Sequence, residues 1–386
     1  MRLAAQPLWL VGFRPFFSFA CIAGLGLPML WVLIHLGALP APATPVGALQ
    51  WHAHEMFFGF GWAVLGGFLL TATKNWVQVR GFHGGALVFL AAAWVFERIG
   101  MGFGANWPVP LFVLSNALFL ATIVAMLLWT LVRHRAQDSY RDNYFFLLIL
   151  PAFLLAKYLM LGTGHFQAGI AMATGLFRVA FLVMLERTLT QFMKNIFQVD
   201  ILRHPLLDKA IKLLAVALVA AALLPPALAA WLSLLLALLL AGRLMFWKPR
   251  LALRRLDLGI MHLGYAAIVL QLLLEFLGQV APMVLVGAVS THVFGLGVMG
   301  LIIPAMLIRI AKGHTGRKVA FEPADKAVLW IMIGAFLLRV VATQVLPQHY
   351  ALWLVLAAVG WLTGFGILAF RLIPFLLLPR IDGKEH

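Results

Sequence analysis

The hexapeptide Trp51-His52-Ala53-His54-Glu55-Met56 places two imidazoles and a carboxylate directly ahead of Phe57 to Ala72, an apolar run with the length of a membrane-crossing helix. Ionisable groups in such a position are costly unless they bind something or pair with something. Histidine is also the commonest metal ligand among the side chains. A second histidine, His292, opens another apolar run. His54 follows Pro45 by nine residues and His292 follows Pro282 by ten, and proline is favoured in the first turn of a helix. At 1.5 Å per residue, both imidazoles then lie roughly 14–15 Å below the start of their helices. Two histidines at one level on two helices are the minimum geometry for a bis-imidazole haem, or for a haem ligand facing a second metal.

His52 and His54 point about 200° apart on a helix, so they do not serve one metal from one face. Either they serve two sites, with His54 and His292 as the haem pair and His52 for copper or a second site, or one is a ligand and the other packs or bonds elsewhere. Glu55, three residues after His52, shares its face and is placed to orient it by accepting its second N–H. Gly295-Leu296-Gly297-Val298-Met299-Gly300 matches a dinucleotide fingerprint in letters only: it follows no strand and lies inside an apolar helix. Small residues there permit close approach of a helix or of a flat macrocycle, and Gly59 follows His54 by five residues as Gly297 follows His292. His262 falls nearer the opposite membrane face, and His35, His165 and His349 fall at span ends. Arg98, Lys157, Arg178, Arg339, Glu97, Glu186 and Glu275 lie within apolar spans, which predicts internal ion pairs. Arg98 and Arg339 are the two that could instead meet haem propionates.

The elements that must position these groups follow from composition. Charged residues are 11% and hydrophobic residues 63% of the 386, against about 25% charged in a typical soluble domain. The bilayer is therefore the solvent for most of the chain. We expect an all-α, polytopic transmembrane bundle of about 12 helices forming one integral membrane domain, 1–386. The spans fall near residues 14–37, 46–73, 83–103, 108–132, 143–161, 166–187, 208–224, 227–247, 258–279, 283–308, 325–346 and 349–373. Alternate connections are basic, with Lys74 and Arg80, Arg133 and Arg135, Arg203 and Lys209, Arg250 and Arg254, then Lys312 and Arg317. The others, such as Leu39 to Gln50 and Gly278 to Pro282, lack lysine and arginine. The positive-inside rule puts the basic set in the cytoplasm, and an even span count puts both termini there, in keeping with Arg2, Arg380 and Lys384. This distribution accounts for the net charge of +16 without a nucleic-acid partner. The single cysteine, Cys21, excludes an intrachain disulfide, and no Cys-x-x-Cys-His for covalent haem attachment is present. No repeat between the two halves is evident.

The Trp51–Met56 segment, together with Thr71 to Trp76, Arg14-Pro15-Phe16-Phe17, His292 with its glycines and Gly313-His314-Thr315-Gly316-Arg317, resembles the NnrS family over nearly the whole chain. That resemblance implies a bacterial inner-membrane protein containing haem b and copper, associated with nitric oxide metabolism and nitrosative-stress tolerance. It does not assign ligands. His314 would lie in a cytoplasmic loop, some 30 Å from His54 along a straight span, and could serve only a separate metal centre. The expected partners are nitric oxide or another small gas, the lipid bilayer, and an electron donor such as a quinol or a small redox protein. Two other classes fit the same spans: a multi-pass transporter of metal, haem or a small solute, and a bis-histidine quinol-linked cytochrome b.

Overall fold

The computed structural model describes residues 6–162, 164–281 and 285–384; Arg2 and Pro282 lie outside them. Long apolar runs without water partners must close their own backbone hydrogen bonds, and the described residues accordingly form helices joined by loops, with no strand among them. Eleven helices are long and apolar enough to cross a membrane. We label α1 Phe13–His35, α2 Ala48–Trp76, α3 Gly85–Asn106, α4 Val109–Arg133, α5 Tyr144–Leu161 and α6 Phe166–Phe197. After α7, Pro205–Ala217, come α8 Pro226–Phe246, α9 Leu256–Val280, α10 Val289–His314, α11 Pro323–Val345 and α12 Pro347–Leu377. The expected span at 208–224 is thus the exception. α7 provides roughly 20 Å of α-helix, and Leu218–Leu223 continues it as a 3₁₀ helix for roughly 12 Å more.

The chain gathers into two compact units. Unit 1 comprises Met1–Gly169, Leu307–Ala320 and Phe365–His386; unit 2 comprises Ile170–Met306 and Phe321–Gly364. In unit 1 one end collects the starts and ends of distant elements. Arg14, the second residue of α1, donates to the carbonyls of Leu376 and Leu378 at the end of α12. Gly84 N–H donates to the Trp9 carbonyl, and Ser139 N–H to that of Trp76. The start of α1 therefore lies beside the end of α12.

Three helices contain widened, π-helical stretches: Glu55–Gly61 in α2, Val293–Met299 in α10 and Leu338–Ala342 in α11. The first two are each seven residues long and each directly follow a histidine. His292, Pro323 and Pro347 stand 238 residues after His54, Gly85 and Val109, so α10, α11 and α12 repeat α2, α3 and α4. The sequence conceals this. Between 51–76 and 289–314 only His54/His292, Gly59/Gly297, Leu69/Leu307 and Lys74/Lys312 are identical.

Candidate functional site

Both histidine-bearing helices start later than their prolines, at Ala48 and Val289. Counted from there, His54 lies roughly 9 Å and His292 roughly 4.5 Å along its helix, so the expected match in level from Pro45 and Pro282 does not follow from helix rise. The two residues also belong to different units, and each has its own surroundings.

In unit 1, His54 is fully buried. Its Nδ1 lies 3.2 Å from Glu55 Oε1 and its Nε2 3.0 Å from Glu97 Oε1, the second approach lacking hydrogen-bond alignment. Both ring nitrogens face carboxylate oxygens, so neither lone pair is open to a metal. Arg98 reaches Glu55 at 3.2 Å through Nε and Glu97 at 3.0 Å through Nη2. Lys157 of α5 pairs with Glu97 and donates to the Asn116 carbonyl. Two carboxylates thus meet two fixed cations around one imidazole, out of water, where breaking any member is costly. Gly59 belongs to this packing: a side chain there would strike the Arg98 guanidinium, and its carbonyl accepts Trp94 Nε1 at 3.1 Å. Glu55, expected to orient His52, presents its carboxylate to His54 and Arg98. His52 stacks on Trp31, with ring centroids 4.4 Å apart and planes 10° from parallel.

His292 in unit 2 is half-buried and differently held. Its Nδ1 lies 2.7 Å from the Ala288 carbonyl. A carbonyl only accepts, so Nδ1 carries the proton and Nε2 the lone pair, the tautomer in which a metal-bound histidine is oriented; in this structure that lone pair faces Arg339 Nη2 at 3.4 Å. Arg339 Nη2 lies against the ring, 3.3 Å from Nδ1 and 3.4 Å from Nε2, and 3.4 Å from the Tyr350 hydroxyl. Its Nη1 is buried with no partner. A Cβ on Gly295, three residues beyond His292, would meet no atom within 4 Å, whereas one on Gly297 would press on Phe336 and Ala267. Room beside His292 is therefore at Gly295, and Gly297 serves helix packing.

His314 sits at the basic end of unit 1, its ring 5.4 Å from Phe13 and within the repulsive field of Lys74, Arg380 and Arg14. Three cations repel a metal ion, so this histidine makes a poor copper ligand. Among the described residues, no three His, Cys, Asp or Glu side chains gather as a metal-ion site. The ion pairs expected inside the spans are present for Arg98, Lys157 and Arg178, the last 2.9 Å from Glu275, and for Glu186, which meets Arg243 at 3.1 Å. Arg339 departs from that pattern, since it meets an imidazole and a phenol. The two seven-residue π-helical stretches had no signal in the sequence beyond the glycines within them, and Leu338–Ala342 lacks even those. Such widened turns are frequent at functional sites, and here one follows each histidine and a third carries Arg339.

No curated protein matches this chain. The sequence model of the NnrS protein family matches residues 7–380, essentially the whole length, and the chain belongs to that family.

Proposed function

We propose that this protein is a haem b protein of the bacterial inner membrane that handles nitric oxide, with the haem held through His292 in unit 2. One observation carries the reading: Ala288 fixes the His292 Nδ1–H and so places the ring's lone pair on Nε2, which faces one N–H group of Arg339 that a haem iron would displace. A haem needs only one or two protein ligands because the porphyrin supplies four nitrogens, so a single oriented imidazole suffices. The buried, unpartnered Nη1 of Arg339 suits a propionate, and the open space at Gly295 suits a flat ring. When bound, the haem supplies a one-electron couple and an iron that binds small gases. The chain orients the imidazole, offers a cation to a carboxylate and excludes water with its apolar walls. Apolar surroundings also favour entry of a small uncharged gas from the bilayer.

The family resemblance adds copper. The described residues offer it no preassembled ligand set, so we derive no step through it; His52 is the histidine through which it would be sought. The basic loops support a cytoplasmic location for both termini, and a quinol or small redox protein is the natural electron source. The buried His54 network favours a second reading, a multi-pass transporter, because intramembrane charges often mark ion pathways. An absorption spectrum of the purified full-length protein, oxidised, reduced and reduced with nitric oxide, beside iron and copper analysis, separates the two. A b-type spectrum that shifts with nitric oxide is expected. A colourless, iron-free protein would overturn the haem reading in favour of transport.

A further inference from the structure

Two segments that carry the family resemblance, Arg14-Pro15-Phe16-Phe17 and Gly313-His314-Thr315-Gly316-Arg317, take no part in the His292 site. They meet at the basic end of unit 1, against the end of α12. Arg14 is fully buried. Its Nη1 donates to the carbonyls of Leu376 at 2.9 Å and Leu378 at 2.6 Å, carbonyls that a helix end leaves unsatisfied. That explains one arm of the fork. Nε and Nη2 are buried with no partner.

Arg317 lies beside it, with its guanidinium carbon 4.0 Å from the centre of the Phe375 ring and its Nη1 also buried and unpartnered. The third arginine, Arg380, is occupied: it meets Asp382 through Nε at 2.8 Å and Nη2 at 2.5 Å, and donates to the His314 carbonyl at 3.0 Å. Arg317 and Arg380 both repel Arg14. Lys74, whose field reaches His314, lines with Arg80, Leu10, Val11 and Leu70 a cavity of about 240 Å³. Two guanidinium groups with spare N–H donors thus converge where the nearby carboxylate is already taken. Guanidinium groups cannot shed their charge in a protein, and a buried charge without a counter-ion is strongly destabilising.

We propose that Arg14 and Arg317 clamp a phosphate-type oxyanion at this end of unit 1, supplied by the headgroup of an anionic phospholipid. Planar guanidinium forks match phosphate oxygens two at a time. The site lies where α1 begins and α12 ends, at headgroup depth, and basic pockets between such helix ends take anionic headgroups. The mixed lining of the adjoining cavity, two cations among leucine and valine, suits a molecule that is charged at one end and apolar at the other. None of this depends on haem at His292.

The test is the thermal unfolding midpoint of the delipidated full-length protein at ~0.15 M salt, where diffuse surface attraction is largely screened. Phosphatidylglycerol, phosphatidylcholine and inorganic phosphate are added separately. We expect phosphatidylglycerol to raise the midpoint by several degrees beyond phosphatidylcholine, with Arg317→Gln weakening that effect about tenfold in apparent affinity. Arg14→Gln should abolish it; should that variant not fold, the half-exposed Arg317 decides. A shift from inorganic phosphate alone would keep the oxyanion site and overturn the lipid source. Equal effects of the two lipids with none from phosphate, or an equal loss in the control Arg133→Gln, would overturn the site.

Discussion

In unit 1 the π-helical stretch after the histidine begins with Glu55; in unit 2 its counterpart begins with Val293. The position 238 residues beyond Glu97 is likewise an apolar one, Ala335, and both replacements are buried. An arginine comes from the corresponding neighbouring helix in each case, Arg98 to the carboxylates of the first site and Arg339 to the imidazole of the second. The same backbone device therefore yields two chemistries. Two acids hold one histidine in an ion network, and their absence leaves the other facing a guanidinium that a ligand can displace. The repeat supplies position, while the neighbours decide whether the imidazole is structural or available.

The sharpest way to break this comparison is to remove each imidazole in turn. His292→Ala should abolish the haem absorbance of the purified protein and leave it inserted; His54→Ala should keep the absorbance and lower the unfolding midpoint. Loss of the spectrum in the second variant alone would reverse the assignment. Next in size is Glu97→Ala, which strands Lys157 and Arg98 without their shared carboxylate. Denaturant or thermal unfolding should register about 3–5 kcal/mol of lost stability, and an unperturbed midpoint would mean that the network is not closed. Arg339→Gln leaves the fold in place and should weaken haem retention about 10- to 100-fold, the usual cost of losing an outer contact of a metal site; competition with apomyoglobin measures it. The smallest pair concerns two neighbouring glycines. Gly297→Ala presses on Phe336 and should cost about 1–3 kcal/mol, whereas Gly295→Ala should stay within about 0.5 kcal/mol in unfolding assays yet slow haem uptake.

The helical architecture was legible because length, apolarity and the alternation of basic loops all point the same way. Expected span 14–37 is found at Phe13–His35, and 108–132 at Val109–Arg133. Charged residues inside spans also announced their pairing, as Lys157 and Glu97 do. What stayed hidden is local backbone geometry. No residue pattern declares a π-helical stretch, yet it decides what shares a side with His54, and so ideal helical spacing directs the Glu55 carboxylate to His52 whereas the structure turns it to His54 and Arg98. The prolines misled for a related reason: Pro45 precedes the first helical residue by three positions, so depth counted from it was too large. The repeat escaped because apolar residues substitute freely for one another within a membrane bundle, leaving four identities to carry it.

Unit 1 is not contiguous, and this dictates when it can be finished. Its first five helices are made before unit 2, whereas Leu307–Ala320 is made after the larger part of unit 2 and Phe365–His386 after all of it. The hydrogen bonds from Arg14 to Leu376 and Leu378 close loops of 362 and 364 residues. Until Leu376 and Leu378 are made the Arg14 guanidinium lacks these two acceptors, so maturation of the earlier-made helices of unit 1 is gated by residues made much later. Chains that terminate before Phe365 would leave the oldest part of the protein permanently incomplete, a state that membrane quality control could recognise by an exposed arginine.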